Sequence, residues 1–530
     1  VGASLLAALV AAVLLAAVAR RFDVSAPLAL VVAGLAGSAL PGFDDVHLDP
    51  ELVLFVILPP LLWSAGLESS YVALRRNIRP IGLLAVGLPL ATTFVVGIVA
   101  YQTVPELTVA AALTLGAIVA PPDAVSATAV GRRLGLPRRT MTLLGGESLL
   151  NDATALTAYK VALGAAIGTA ATWSSGLATF ALAAVGGTVV GGVIGMVVHF
   201  IRTRLDDPLV ESAIGLVAPF FIYLLAEEIH GSGVLAVVVA ALLLGQRETQ
   251  AGYATRLQDK AVWKALQLIL ESFAFLLIGL QLPKVISELS GISAATLAIS
   301  SAAVLAAVIG VRIVWVFAST YVPRMLSKQL CSHEPAPPAG QVFVVAWAGM
   351  RGVVSLAAAF GVPATTLAGD PFPGRPQLVF LTFVVVVGTL LLHGLTLPWF
   401  IRVLDARGDE AHSDAIATAA AQDKAARAAA ERLDSLLAEQ PAGSDVPERA
   451  ADVLRAWNTR RRNAAWERLG RGEDDIGESP ASAFRRLRLE MLAAERDAFI
   501  AERDAGHIDD EVLRTVLHGL DLEEATLNRD

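Results

Sequence analysis

Long apolar runs, separated by short polar segments, fill the first four hundred residues of the chain. A bilayer core of about 30 Å is crossed by roughly 20 consecutive apolar residues in a helix. Runs of that order lie near 2–19, 26–40, 51–67, 78–101, 107–131, 141–170, 177–201, 209–228, 231–246, 265–282, 293–322, 341–361 and 377–401, which predicts thirteen transmembrane helices. The second and ninth are short. From Asp405 onward the pattern becomes Ala-rich and dense in Arg and Glu, helical in period, with no run of spanning length. The pattern therefore predicts an all-α polytopic membrane protein, with a transmembrane domain over 1–404 and a helical cytosolic tail over 405–530. Pro441, Gly443, Ser444 and Pro447, and later Gly470 to Pro480, read as linkers between tail helices.

The loops supply an independent test of the span count, because Lys and Arg gather on the cytoplasmic side of membrane proteins. Basic residues follow the odd-numbered spans: Arg20 and Arg21, then Arg75, Arg76 and Arg79, then Arg132, Arg133, Arg138 and Arg139. The series continues with Arg202 and Arg204, with Arg247, Arg256, Lys260 and Lys264, and with Arg324 and Lys328. After the even-numbered spans come only Lys284 and Arg375, beside acids such as Asp44, Asp45, Glu106, Glu227, Glu228 and Asp370. An N-terminus outside and a C-terminus in the cytosol follow from this alternation.

Composition agrees: 55% of residues are hydrophobic, 17% are charged, and the mean hydropathy is +0.62, which an ordinary soluble domain does not show. From Asp405 the chain carries 28 acidic against 18 basic residues, more than the whole formal net charge of −8, which leaves the membrane part near neutral. The single cysteine, Cys331, excludes a disulfide framework within one chain and a multi-cysteine zinc site. The eight histidines form no metal-ligand spacing. His230 and His393, near span ends, are placed where they could sense pH, but read first as solvent-exposed loop histidines. The first apolar segment has neither the basic flank nor the cleavage site of a signal peptide.

Polar residues inside the spans carry the chemistry, since ionisable groups at membrane depth are costly and mark functional sites. Glu147, Ser148, Asn151 and Asp152 interrupt the sixth span. Residues four apart share a helix face, which stacks Ser148 with Asp152 and Glu147 with Asn151. Oxygen ligands suit hard cations, and a carboxylate held partly away from water carries either a proton or a cation. A polar contact between helices accounts for the same residues in blander terms.

The fifth span contains Ala120-Pro121-Pro122-Asp123, where proline removes helical hydrogen bonds and predicts an unwound segment. A simple kink with Asp123 capping the next half-helix fits as well. The twelfth span contains Trp347-Ala348-Gly349-Met350-Arg351-Gly352, a cation between glycines that needs an anionic partner or carbonyls, with Glu147 the natural candidate. Six spans repeated in inverted sense about the seventh place these two interruptions in corresponding positions, where the breaks are expected to cross.

The runs Gly146-Glu147-Ser148-Leu149-Leu150-Asn151-Asp152, Ala120-Pro121-Pro122-Asp123 and Trp347-Ala348-Gly349-Met350-Arg351-Gly352-Val353-Val354 resemble the monovalent cation:proton antiporter family. More narrowly, residues 1–404 are similar to its electroneutral branch of bacterial NhaP-type antiporters and sodium/proton exchangers. The resemblance implies an NhaA-like antiporter fold with crossed broken helices. Core spans would lie over about 78–170 and 293–401, and scaffold and dimerisation spans over about 2–67 and 177–282. It implies that Asp152 binds cation (Na+) and proton in turn and that Ser148 supplies a second oxygen. Asn151 would hold the crossing together, Asp123 would stabilise the broken fifth helix, and Glu147 with Arg351 would form a buried ion pair.

Two positions depart from the family pattern. Ser64, a candidate ion-binding residue, stands where an acid or amide is common, which weakens or removes a ligand there; Glu68, one turn on, is either its substitute or an interfacial acid at the span end. Pro122 stands where the family commonly has a threonine, so a hydroxyl ligand is gone and cation selectivity is left open. Glu271 and Arg312 match polar positions of the family and are possible accessories, in structural pairing, in gating or in ion contact. Lys160, two turns past Asp152, is expected to snorkel outward.

The expected function is electroneutral one-for-one exchange of a monovalent cation, Na+ first, for H+, serving pH homeostasis across the cytoplasmic (inner) membrane. The protein would act as a homodimer in the lipid bilayer. No enzymatic step, prosthetic group or nucleic acid is expected. K+/H+ exchange, a tail-regulated cation channel and an intramembrane hydrolase are the alternatives; the last would need a catalytic dyad or metal constellation that the sequence does not supply.

Overall fold

The computed structural model describes residues 2–22, 24–39, 53–169, 173–205, 207–289, 292–326, 336–406, 410–438, 445–467, 480–505 and 507–528. Asp44, Asp45, Lys328, Cys331 and the linker residues 441–444 and 470–479 lie outside these. The chain divides into two compact units, Val1–Gly408 and Asp409–Asp530. Among the described residues there is no strand; a lone antiparallel bridge joins Thr365 to Pro371.

The first unit begins with α1 (Gly2–Arg21) and α2 (Ala26–Gly37). A π turn, Val53–Ile57, leads into α3 (Leu58–Glu68) just ahead of Pro59 and Pro60. Short helices α4 (Tyr71–Arg76) and α5 (Ile78–Gly82) precede a second π turn at Leu83–Gly87 and then α6 (Leu88–Thr103). The wider turn accommodates Pro89, which has no N–H to give, and Trp315 Nε1 donates to the carbonyl of Leu83 at 2.9 Å.

The fifth apolar run is two half-helices, α7 (Val109–Ile118) and α8 (Ala124–Leu134), parted at the two prolines. The sixth is a continuous rod, α9 (Arg138–Ile167), closed by Gly168 at φ 99°, a left-handed conformation that glycine adopts without strain. Then follow α10 (Trp173–Arg202), α11 (Pro208–Glu228), α12 (Gly233–Gln246), α13 (Tyr253–Ser287) and α14 (Ala294–Leu326). The twelfth run is again split, into α15 (Ala339–Trp347) and α16 (Val353–Phe360), and α17 (Arg375–Val403) completes the unit.

Seven helices are long and apolar enough to cross a membrane, and four shorter apolar ones accompany them, among the described residues. α9 is not among these, because the polar residues of the candidate site dilute its hydropathy; its 30 residues still reach about 45 Å. On α1 the exposed side chains Leu6, Val10, Leu14 and Val18 recur every fourth residue, as do Val185, Val189, Val193 and Val197 on α10. Such apolar outer stripes suit hydrocarbon rather than water. Inside, one core joins α1, α2, α13, α15 and α17 through Ala12, Leu30, Ile278, Val344 and Leu397. A second joins α6, α7, α14, α16 and α17 through Val96, Leu115, Val304, Ala359 and Leu381. A third joins α3, α9, α10, α11 and α12 through Trp63, Leu149, Val198, Ile222 and Val237. The contact of α2 with α13 is backbone-close, since a methyl on Gly279 would stand 2.8 Å from the Cα of Gly34.

The second unit pairs α18 (Glu410–Ala438) with α19 (Asp445–Glu467), and α20 (Pro480–Asp504) with α21 (Asp510–Leu527). Pro447 and Pro480 are not linker residues: both stand in the first turn of a helix, where a missing N–H costs nothing. Asn458 donates to the carbonyl of Ala426 at 2.8 Å, fixing the first pair. Arg488 grips Glu523 with Nε at 2.6 Å and Nη2 at 2.8 Å, fixing the second.

Candidate functional site

Unwinding at the two breaks frees backbone groups that a buried chain must satisfy. They satisfy one another: the N–H of Asp123, at the end of the first break, donates to the carbonyl of Met350 in the second at 2.6 Å. Arg351 Nε donates to the carbonyl of Val119, at the end of α7, at 3.1 Å, and its Nη1 donates to the carbonyl of Gly349. The Arg351 N–H donates to Thr389 Oγ1 of α17 at 3.0 Å. The breaks therefore meet.

Asp123 precedes α8 and lies against Gly352, which precedes α16; a methyl on Gly352 would be 2.8 Å from Asp123 Oδ2. The carboxylate thus stands at the amino ends of two half-helices, where their dipoles favour negative charge. Glycine at 352 is required by this approach. The opposite ends, where carbonyls point outward, receive guanidinium groups. Arg351 meets Val119, while Arg312 of α14 donates from Nε to Ala346 and from Nη2 to Val345, both carbonyls at 3.1 Å.

α9 crosses beside the breaks with its polar residues divided between two faces. Asn151 Nδ2 donates to the carbonyl of Pro122 at 3.0 Å, which ties the rod to the first break. Glu147, on the same face, accepts from Arg312 Nη1 at 2.5 Å and Nη2 at 3.0 Å, with both side chains buried. This corrects the pairing expected from sequence: Arg351 is not the partner of Glu147. The guanidinium of Arg351 is taken up by carbonyls that unwinding exposes, and its Nη2 has no hydrogen-bond partner among the described residues. Arg312 was equally a fixed cation within an apolar helix and equally in need of a carboxylate, a signal present in the sequence but outweighed by the glycines around Arg351.

The other face of α9 carries Ser148 and Asp152. Asp152 is 9% exposed, and among the described residues it has no hydrogen bond and no ion pair. Ser148, one turn earlier, is half-buried and likewise without a side-chain hydrogen bond there. Two oxygens, one of them ionisable, are thus left for a ligand. Asn151 Oδ1 and Ser355 Oγ are further buried atoms without a hydrogen-bond partner among the described residues. His393 corrects a second expectation. It is buried within α17, 4.8 Å from the ring of Trp347 at the second break, because the apolar run continues past it to Val403.

The remaining candidates lie elsewhere. Ser64 Oγ donates to Gln267 Oε1 of α13 at 3.3 Å, and Gln267 Nε2 donates to Glu271 Oε1 at 2.6 Å. Glu68 faces Arg132 at 3.5 Å in an exposed pair. Lys160 reaches outward to Glu227 at 2.6 Å. Among the described residues no cluster of three or more His, Cys, Asp or Glu is arranged to hold a metal ion.

A helical membrane unit in which two interrupted helices meet beside a buried, unpartnered carboxylate has the architecture of a secondary transporter. The family model described as "Sodium/hydrogen exchanger, transmembrane" matches residues 5–403. The chain is 35% identical, over 99% of its length and 96% of the relative's, to an uncharacterized Na(+)/H(+) exchanger of Mycobacterium tuberculosis. It is 34% identical to the Na(+)/H(+) antiporter ApNhaP of Aphanothece halophytica, over 72% of this chain and 70% of that one. The solved sodium proton antiporter MjNhaP1 from Methanocaldococcus jannaschii superimposes with a TM-score of 0.62 at 21% identity, over 76% of this chain and 97% of that one. The chain belongs to the sodium/hydrogen exchanger family of transmembrane cation:proton antiporters.

Proposed function

We propose that the protein exchanges one monovalent cation, Na+ foremost, for one H+, by competition of the two for Asp152. The observation that carries this reading is the contrast on α9. Glu147 is saturated by Arg312, whereas Asp152 is buried with neither a cation nor a hydrogen-bond donor beside it among the described residues. A carboxylate so placed is costly at membrane depth unless a proton or cation joins it, and one group cannot hold both. Ser148 adds a neutral oxygen to the cation site. Asn151 and Asp123 position the breaks, and Glu147, with Arg312 in place of Arg351, keeps the crossing together. One loading carboxylate gives one charge in each direction, hence electroneutral exchange.

Thirteen crossings in two inverted six-helix repeats accommodate the helices, with α7–α8 and α15–α16 as the crossed pair. The N-terminus lies outside and the tail in the cytosol. In alternating access, a core over about 78–170 and 293–401 moves against a scaffold over about 2–67 and 177–282, in a homodimer of the cytoplasmic membrane. The Na+ preference draws on the relative named an Na(+)/H(+) antiporter.

The test is the purified protein in liposomes, with dissipation of a pH gradient followed in Na+, Li+ and K+, and with the membrane potential either clamped by valinomycin or left free. Na+-dependent dissipation that ignores the clamp is expected. A stronger response to K+ would make it a K+/H+ exchanger, and current without obligatory counter-flux would make it a channel.

A further inference from the structure

Lys260, Lys264, Gln267 and Glu271 recur along α13 at spacings of four, three and four, so they share one face of that helix. At 1.5 Å per residue the stripe runs about 16 Å. Its first two members line a cavity of about 900 Å³, whose wall also holds Ser64, Glu68, Arg132 and Trp263. Phe275, next on the same face, is buried in the core, which ends the stripe at Glu271.

Ser64 connects the cavity to the far end of this stripe. Its hydroxyl donates to Gln267, and Gln267 donates to Glu271, so a continuous hydrogen-bonded path leads from the cavity wall to a carboxylate. Glu68, Asp259 and Glu147 each face an arginine within 3.5 Å. Glu271 has no such cation among the described residues. Half-buried on a membrane helix, it has the amide of Gln267 as its hydrogen-bond donor among the described residues, and Arg20 acts on it only through space, without an ion pair. Unpaired acids in such positions mark ion pathways.

We propose that Glu271, presented by Gln267 beside Ser64, is a second cation-binding carboxylate, a loading station between the cavity and Asp152. A carboxylate oxygen suits a partly dehydrated monovalent cation, and Gln267, itself bonded to the Ser64 hydroxyl, holds this one in place. The inference rests on the antiporter reading above. Because α13 belongs to the scaffold in that reading, Glu271 passes the ion on and is not itself carried across, and the one-for-one stoichiometry is kept.

The test compares Na+-dependent proton flux of the full chain and its Glu271→Gln variant in proteoliposomes. The apparent KM for Na+ is expected to rise about tenfold with the maximal rate within about twofold, and Glu271→Asp is expected to recover most of the affinity. An unchanged KM, or a lost maximal rate at unchanged KM, would overturn the station and leave Glu271 a packing residue. Where Glu271→Gln does not fold, Ser64→Ala serves instead: it removes the cavity-side link of the path and is expected to raise KM two- to threefold, whereas no change would overturn the proposal. A wild-type chain that couples no cation to proton flux would instead refute the antiporter reading itself.

Discussion

Arg312 and Glu147 face each other through two hydrogen bonds, at 2.5 and 3.0 Å, on helices 165 residues apart in sequence. The same guanidinium holds the last carbonyls of α15, so one side chain locks three helices. Removing one member of a buried pair strands the other charge, at a cost of about 3–5 kcal/mol. Arg312→Ala is therefore expected to lower thermal stability more than the double variant Arg312→Gln/Glu147→Gln. In a double-mutant cycle Glu147 should couple strongly to Arg312 and weakly to Arg351. Melting curves of the purified variants decide it, and equal coupling to both arginines would contradict the pairing.

Asp152→Asn is expected to abolish cation-coupled proton flux while the protein stays folded, because an amide of the same shape cannot exchange proton for cation. Ser148→Ala should keep the maximal rate and raise the apparent KM several-fold, since only a neutral ligand is lost. Flux assays with melting curves as control read both; appreciable exchange by Asp152→Asn would remove Asp152 from the mechanism.

Gly352→Ala is expected to impair transport although it adds one methyl, because that methyl would come within 2.8 Å of Asp123 and push the two breaks apart. Gly145→Ala, where a methyl meets nothing within 4 Å, is the matched control and should transport normally. Equal rates for the two variants would show that the crossing tolerates separation.

In the tail, the hydrogen bonds from Arg488 hold the Glu523 carboxyl below its usual value of 4.5. A group whose value is depressed on folding contributes stability above its unfolded value and loses that contribution as pH falls through the folded one. The pairing of α20 with α21 should thus withstand acidification to about the usual carboxylate range and loosen below it. Arg488→Ala should bring the loosening to neutral pH, which amide hydrogen exchange over residues 480–527 of the full chain would detect.

What the sequence disclosed was what depends on neighbours along the chain. Pro121 and Pro122 announce the end of α7, and the glycines around Arg351 announce the end of α15, because each acts on its own turn. The apolar runs coincide with helices or pairs of half-helices for the same reason. Contacts between distant helices were less legible. Two arginines were available to Glu147, and only the packing of α14 across the end of α15 decides between them. Gln267 is not conspicuous in the sequence because it stands near the start of the apolar run at 265–282, whereas α13 begins at Tyr253 and brings it beside Ser64. The burial of His393 is not legible in the sequence, because nearness to the end of an apolar run says nothing of the aromatic ring that packs beside it.

The two faces of α9 separate what the protein is from what it takes. Glu147 and Asn151 are committed to holding neighbouring helices, and a change at either disturbs the frame. Ser148 and Asp152, rotated by a single residue, owe nothing to that frame. With Ser148 and Asp152 as the proposed ion site, an exchange of hydroxyl for amide, or of one small side chain for another, at position 148 would alter the ligand field around an incoming ion without loosening a joint. Ion preference would then be adjustable one residue at a time, and an antiporter for a different alkali cation would lie a few substitutions away on the same unaltered scaffold.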